Sequence, residues 1–354
     1  MKRRTLQNLE VILLLIILLY IGRPLFIPLS FAVLISFVSY PVCRYLEKKG
    51  WPRSLAIAAC LLGLLLFFAG IGGILITGIL QVAREWDVVS REFGDVAGRL
   101  MQFLNDRFNL TPEQQSNYLR RSGQEALSSV GAILGSLVSF SATSLAMLII
   151  IPVFVALILA NREILVAALM AWLPERFRQT GREVLHESVA AYYQFVKGMA
   201  IVYLVVGILN SVGLALFGIE NFLFFGFLAS ILTFIPYFGI LIGGAVPVAV
   251  AWTGSPAQAL GVVLMFAFVQ YLEANLIFPR AVGHRLKINT LVMLISIILG
   301  GLLWGGAGLV VIPPMIGILK IVADKIEDWK PLAILLGTDE TEDPSAPVQR
   351  TARE

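Results

Sequence analysis

A single acidic side chain, Glu273, interrupts the apolar stretch of residues 257–278. A carboxylate in the hydrocarbon of a bilayer costs roughly 3 kcal/mol or more, so such groups are usually directed at a cavity or a partner. Burial disfavours the charged form of a carboxyl group, which lets it take up and release a proton. Gln270 shares the helical face of Glu273, whereas Asn275 projects at a different angle. We therefore predict Glu273 as a proton- or cation-coupling group, with Gln270 and Asn275 as neutral ligands.

The alternative is a structural role for Glu273. In that interpretation its carboxylate pairs with Arg280, with Arg285 or with a helix terminus at the cytoplasmic edge of the membrane. The residue pattern favours neither interpretation over the other. Two further polar residues, Asn210 and Ser211, interrupt another apolar stretch and are interpreted as contacts between helices rather than ligands.

Glycine and proline interrupt two hydrophobic segments in the last third of the chain. Proline cannot donate a backbone hydrogen bond, and glycine adopts backbone angles that end a helix. In hydrocarbon such breaks lie where the backbone is buried in protein or lines a watery cavity, and paired breaks are typical of transporter binding sites. The alternative is close helix packing, for which membrane helices also use glycine. The predicted helix-break or gating residues are Pro236, Gly239, Pro279, Gly301, Gly305, Gly306, Gly308 and Pro313.

The elements that must position these residues are membrane helices. Of the 354 residues, 58% are hydrophobic and only 14% are charged, and the mean hydropathy is +0.85. Such a chain has too little polar surface for a soluble domain. Its apolar residues form runs near the length of about 20 residues that crosses a bilayer. We predict an all-α membrane protein with about eight membrane segments, two of them Pro/Gly-broken segments or hairpins, and an amphipathic helical region on the non-cytoplasmic side.

Basic loops predict the orientation of these segments. Lys and Arg outnumber acids in the loops at residues 43–53 and 279–289, which places both loops in the cytoplasm under the positive-inside rule. With spans at residues 9–23, 25–41, 54–80, 142–160, 198–217 and 257–278, both termini are then cytoplasmic. The predicted location is the cell membrane, crossed several times.

The chain divides by composition into five regions. Residues 81–141 carry an apolar stripe at helical spacing and are interpreted as an amphipathic helix on the membrane or on a neighbouring subunit, with a ligand-binding domain as the alternative. Acids, Pro and Thr in the C-terminal tail predict disorder. The regions are N-terminal spans in 1–80, the amphipathic region in 81–141, spans in 142–217 with a cytoplasmic connection at 161–197, a broken-helix transport core in 218–325, and a cytoplasmic tail in 326–354.

Soluble-enzyme motifs are missing from the sequence. It contains no phosphate-binding Gly-rich loop, no His-Glu-x-x-His and no Gly-x-Ser-x-Gly, so we predict no enzyme activity and no cofactor. The two cysteines, Cys43 and Cys60, and two isolated histidines indicate neither a disulfide framework nor a metal site. The net charge of +4 resides in short loops beside spans, so no nucleic-acid partner is expected.

Three motifs together resemble the autoinducer-2 exporter-like transporters. Residues 234–239 read Phe-Ile-Pro-Tyr-Phe-Gly and resemble the Phe-Ile-Pro-Tyr-x-Gly signature of that family. The pattern Gln-x-x-Glu-x-Asn at 270–275, with Pro279 and Gly283, resembles its next motif, and the glycines and prolines of 301–314 resemble its closing block. The resemblance covers the chain to about residue 337. It implies a transporter with about eight membrane segments; members are associated with export of autoinducer-2, and some with sodium/proton antiport.

The function predicted from these features is secondary transport. The leading hypothesis is export of a small polar solute or signalling molecule, such as autoinducer-2, coupled to a cation gradient and carried out by a homo-oligomer in the lipid bilayer. The alternatives are a Na⁺/H⁺ antiporter, an oligomeric channel, or a membrane scaffold that transports nothing.

Overall fold

Every regular element in the described part of the chain is a helix. The computed structural model describes residues 2–84, 142–233, 239–282 and 288–337. An isolated β-bridge joins Ile288 to Gly337. The α-helices are α1 (Lys2–Ile21), α2 (Arg23–Lys48), α3 (Arg53–Arg84), α4 (Ala142–Ala160), α5 (Arg162–Trp172), α6 (Glu175–Leu216), α7 (Phe222–Leu232), α8 (Gly239–Gly254), α9 (Pro256–Leu272), α10 (Phe278–Ala281), α11 (Thr290–Trp304), α12 (Gly306–Lys325) and α13 (Lys330–Leu336).

Five of these described segments are long and apolar enough to cross a membrane, by length and composition. The pair formed by α4 and α5 would add a sixth; it bends by 72° at Asn161. Shorter apolar helices are Phe222–Leu232, Gly243–Trp252 and Thr290–Trp304. The protein is therefore an all-α membrane protein, as the apolar runs predicted. The count of about eight membrane segments, the five-region division and the amphipathic segment stay predictions, and residues 85–141 of that segment lie outside the described residues.

Helix boundaries follow local backbone chemistry. Helix α2 begins with Pro24 in its first turn, where the missing N–H costs nothing. Helix α9 begins in the same way at Pro256, and the hydroxyl of Ser255 accepts a hydrogen bond from the Gln258 amide at 3.1 Å. Asn289 caps α11 by accepting from the Leu291 amide at 2.8 Å. These residues determine where α2, α9 and α11 begin.

The chain divides into two compact units. The first comprises Met1–Leu61, Ala146–Val196 and His284–Glu354, and the second comprises Leu62–Leu145 and Lys197–Gly283. In the first unit, buried residues of α2, α3 and α4 form one hydrophobic cluster that includes Cys43 and Cys60. Their Sγ atoms lie 2.9 Å apart, although both thiols are free.

Two arginines hold the bend between α4 and α5 in the first unit. Arg162 donates from both terminal nitrogens to the two carboxylate oxygens of Glu47, at 2.9 and 2.6 Å. Arg53 donates to Glu163 at 3.2 Å and to the carbonyl of Leu159 at 3.0 Å. Charge-assisted, bidentate bonds of this kind have a defined geometry. The end of α2 and the start of α3 are thereby attached to the bend.

A helical hairpin of α11 and α12 also belongs to the first unit. Trp304, at the end of α11, is buried in a cluster with Ile27, Leu34 and Val311, and its indole N–H donates to the Leu19 carbonyl at 3.0 Å. Gly305 separates the two helices with a φ of 62°, a backbone conformation that favours glycine. The hairpin is therefore hydrogen-bonded to α1 and packs against α2.

In the second unit, α7, α8 and α9 pack around buried residues of α6. This core contains Leu214, Phe225, Val262 and Phe266. Glycines allow the close approach: a β-carbon on Gly207 would overlap the ring of Phe227, and one on Gly213 would overlap Met265. Small residues at such crossings are usual between membrane helices, where close packing replaces hydrophobic association.

Candidate functional site

Glu273 occupies the point in the second unit where a membrane helix changes its winding. Helix α9 ends at Leu272, and Glu273–Ile277 form one turn of π-helix before α10. Pro279 explains this turn, because a proline ring collides with the carbonyl four residues earlier, here that of Asn275, unless the helix widens. Single π-turns are rare and occur frequently at functional sites.

The Glu273 carboxylate is held by a neutral group. Gln270 Nε2 donates to Glu273 Oε2 at 3.0 Å, and both side chains are half-buried. No ion pair to Glu273 occurs among the described residues. Arg280, a candidate partner in the structural interpretation, instead donates to the Leu276 carbonyl at 3.2 Å. Arg285, the other candidate, lies outside the described residues.

Asn275 lies apart from the pair formed by Gln270 and Glu273. Its side chain is exposed, and its Nδ2 donates to the backbone carbonyl of Tyr271 at 2.9 Å. The sequence periodicity had indicated this divergence. The structure thus brings together two of the three predicted coupling residues.

Tyr203 on α6 is a member of the site that the sequence did not reveal. Its hydroxyl is buried and has no hydrogen-bond partner in the described part of the chain. Helix α6 packs against the segment that carries Glu273, because β-carbons on Gly198 and Gly213, on either side of Tyr203, would overlap Ala281 and Met265. A buried hydroxyl without a partner costs about 1–3 kcal/mol. Seventy residues separate Tyr203 from Glu273 along the chain, so only helix packing could reveal the pair. The one feature of the sequence that could have pointed to Tyr203 is its position in the same apolar stretch as Asn210.

The predicted helix breaks occupy several different positions. Gly239 is the first residue of α8, and Pro236 lies outside the described residues. The second break is narrower than its glycine content suggested, because α11 continues through Gly301 and ends only before Gly305. Gly306 and Gly308 belong to the first turn of α12, and Pro313 lies inside that helix.

Gly308 and Gly300 act in close packing. A β-carbon on Gly308 would overlap the carbonyl oxygen of Gly300, and one on Gly300 would lie 2.5 Å from the Gly308 oxygen. The backbones of α11 and α12 are therefore in direct contact. The glycines of this hairpin therefore serve both as a helix break and in close packing. Gly305 ends α11, whereas Gly300 and Gly308 let the backbones of α11 and α12 touch.

The described residues contain no cluster of side chains that could hold a metal ion. Nowhere in them do three or more His, Cys, Asp or Glu side chains gather where they could hold a metal ion. The chemistry available at the site is that of one carboxyl group, one amide and one phenolic hydroxyl. These groups can exchange a proton, coordinate a cation weakly or bind a small polar molecule.

Comparison with known proteins identifies the family. The family model described as "AI-2E family transporter" matches residues 9–328. The protein belongs to this transporter family. The match contains every candidate site residue, and it confirms the resemblance that the three motifs indicated.

Relatives of this AI-2E family member are similar over most of their lengths. "Putative transport protein YrrI" of Bacillus subtilis is 25% identical over 306 residues, which is 85% of this chain and 86% of that protein. "Putative transport protein YueF" of the same species is 27% identical, covering 84% and 82%. "Putative transport protein YhhT" of Escherichia coli is 23% identical, covering 90% of each chain. Together with the apolar helices, the family match makes this protein a multi-pass membrane transporter.

Proposed function

We propose that this AI-2E family member is a secondary transporter that exports a small polar solute or signalling molecule and is driven by a cation gradient. The observation that carries the proposal is the setting of Glu273. Its carboxyl group sits in a membrane helix, at the start of a π-turn, with a neutral amide as its hydrogen-bond partner. An intramembrane carboxylate without a counter-charge is suited to being neutralised by a proton or a sodium ion.

Coupling would follow from the alternation of Glu273 between charged and neutral states. The charged form favours hydration and a cation, whereas the neutral form tolerates an apolar environment. Gln270 can donate to the carboxylate and accept from the carboxylic acid, so its amide can serve both states. Tyr203 supplies a further hydroxyl on α6, the helix that packs against the segment carrying Glu273.

Movement would occur at the broken segments. The chain between α7 and α8 contains Pro236, and Gly305 separates α11 from α12. Interrupted helices expose backbone dipoles and can rock against intact spans, which is how many secondary transporters alternate access. The proposed assembly is a homo-oligomer in the cell membrane with both termini in the cytoplasm, as the basic loops suggest.

The test is flux through purified protein in liposomes with imposed Na⁺ and proton gradients and an internal pH dye. Glu273→Gln keeps the size of the side chain and an oxygen that can accept from Gln270, but it cannot release a proton. We expect it to insert and fold as the wild type does and to lose cation-dependent flux at least tenfold. Glu220→Gln is the matched control, because Glu220 is an exposed acid of the same unit in the turn after α6.

Flux that is unchanged in folded Glu273→Gln would refute the coupling role. Na⁺-dependent proton flux without any organic solute would identify the alternative, a Na⁺/H⁺ antiporter. Currents without saturation or coupling would instead identify an oligomeric channel.

A further inference from the structure

Asn210 is a buried amide with nothing to bond to. It is 1% exposed on α6, and neither Oδ1 nor Nδ2 has a hydrogen-bond partner in the described part of the chain. Buried polar groups in proteins are nearly always hydrogen-bonded, and each exception needs an explanation. The requirement is stricter within a bilayer, where no bulk water can pair with the group.

Two buried hydroxyls of the same unit are hydrogen-bonded, in contrast to Asn210. Ser211, the next residue, donates to the Gly207 carbonyl at 2.7 Å. Ser230 on α7 donates to the Tyr203 carbonyl at 2.7 Å. Asn210 therefore makes no hydrogen bond to another helix within the described residues, whereas Ser211 bonds within its own helix.

The unsatisfied groups align on one side of α6. Tyr203, whose hydroxyl also lacks a partner, precedes Asn210 by seven residues, which is two helical turns or about 10 Å along the same face. That face is covered by α7 and α9, because Gly207 packs on Phe227 and Gly213 packs on Met265.

A third unsatisfied donor extends the series. The indole N–H of Trp252 on α8 is buried without a partner in the described ranges. Trp252 packs against the hydrophobic cluster that contains Leu214, one turn beyond Asn210 on α6. The phenol and the amide thus share one face of α6, and the indole lies on a helix that packs against the cluster containing Leu214.

The chemistry of these groups indicates an uncharged occupant. No charged side chain stands on α6 between Lys197 and Leu216, so nothing on this helix segment would neutralise an ion. An amide and a phenol each donate and accept, which matches water in both directions. A buried water typically makes about three hydrogen bonds to groups that would otherwise be unsatisfied.

We propose that Tyr203, Asn210 and Trp252 line a file of water molecules that leads through the second unit to Glu273. Asn210 is its central positioning residue, since its amide can hydrogen-bond to one water molecule on each side and so connect them. The proposal rests on the proposed function in one respect: the file would connect the coupling carboxyl group to solvent. Hydration itself is independent of any flux.

Radiolytic hydroxyl-radical footprinting of the full-length protein in nanodiscs tests the hydration directly. Radicals form from water beside a side chain, so aromatic rings on a water file are oxidised, whereas dry ones are protected. After normalisation to intrinsic reactivity, we expect Tyr203 and Trp252 to be oxidised at least fivefold faster than Phe225 and Phe266, which lie in the dry core of the same unit.

Asn210→Leu provides the second measurement, because leucine has the shape of asparagine without its polar atoms. The variant should slow oxidation of Tyr203 and lower coupled flux at least tenfold, while its thermal midpoint stays equal or rises, since the amide and its water partners are removed together and no group is left unpaired. A merely structural asparagine would not give this combination. Ser211→Ala is the matched control and should change neither footprint nor flux.

Protection of Tyr203 and Trp252 equal to that of Phe225 would overturn the proposal, and so would an unchanged footprint in Asn210→Leu. If Asn210→Leu fails to fold, the wild-type footprint still decides. Oxidation of both rings in a protein that shows no flux under any gradient would support the water file and refute the proposed function, so the two failures are distinguishable.

Discussion

Replacing Gly308 by alanine tests the backbone contact between α11 and α12. The added methyl group would overlap the carbonyl oxygen of Gly300, which belongs to the partner helix and cannot rotate away as a side chain would. The helices must separate for the methyl group to fit. Overpacking of this kind lowers the free energy of unfolding by about 1–3 kcal/mol. We expect a loss at the upper end of this range, because the overlapping atom belongs to the backbone.

Gly306→Ala is the matched control in the same helix. Its added β-carbon would have no atom within 4 Å, and Gly306 already has helical backbone angles. Alanine in place of glycine favours the helix by up to about 1 kcal/mol. The same gain partly offsets the overlap in Gly308→Ala, so the two variants should differ by roughly 2–3 kcal/mol in the free energy of unfolding.

Gly301→Ala should fall between them. Its β-carbon would lie 3.1 Å from a side-chain methyl of Leu309, which can move aside. The assay is the thermal midpoint of the purified protein in one detergent, measured by size-exclusion retention after heating. We expect the order Gly306→Ala, Gly301→Ala, Gly308→Ala from most to least stable, with Gly308→Ala several degrees below the wild type.

Equal midpoints for Gly308→Ala and Gly306→Ala would refute the packing of this hairpin as the structure has it. Because the hairpin is a proposed moving part, Gly308→Ala should also lower flux in liposomes at a temperature where it is still folded. Normal flux in that variant would refute a role of the hairpin in gating, but it would not contradict the packing of α11 on α12.

The remaining predictions concern the first unit. Glu47→Gln should destabilise the protein by about 1–3 kcal/mol, because it breaks a bidentate pair in which both side chains are only 20% exposed and leaves Arg162 without its counter-charge. A double-mutant cycle with Arg162→Gln measures the coupling, and Glu175→Gln, which removes an exposed pair, should have no measurable effect. Diamide should join Cys43 and Cys60 in a disulfide, with loss of two hydrogens to the reagent, because their sulfur atoms lie 2.9 Å apart. Intact mass spectrometry detects that loss; it should be absent from Cys43→Ser, and persistence of two titratable thiols in the oxidised wild type would contradict the pairing.

The membrane helices could be predicted closely from the sequence. The predicted span at residues 142–160 coincides with α4, and that at 257–278 falls within α9, the π-turn and α10. The break before α2 was visible in the residues around Pro24. Prediction succeeded in these places because a membrane helix must satisfy its own backbone hydrogen bonds, which makes length and apolar composition sufficient signals.

Other boundaries differed from the pattern. The second part of the connection predicted at residues 161–197 and the span after it share one helix, since α6 runs unbroken for 42 residues from Glu175 to Leu216, whereas the first part forms α5. Charged residues make the first part of that helix polar but do not interrupt its hydrogen bonds. Likewise Gly300 and Gly301 continue α11, because glycine permits a break without imposing one.

The candidate site could be predicted only in part. Gln270 and Glu273 were identifiable as a pair because residues three apart in a helix share a face, and the same periodicity separated Asn275 from them. Those relations depend on one helix alone. The sequence thus determined the membrane class and several helix ends, and it predicted one candidate carboxyl group for coupling.

Packing between helices decided the rest. Helix α6, which carries Tyr203, packs against the segment of Glu273, Cys43 lies against Cys60, and Glu47 bonds to Arg162. The spacing of these residues along the chain does not predict any of these contacts. The unpaired amide of Asn210 is likewise evident only once its surroundings are known. The physical reason is that backbone hydrogen bonds in a helix join residues four apart, whereas contacts between helices depend on how their side chains fit together across distances that the sequence does not encode locally.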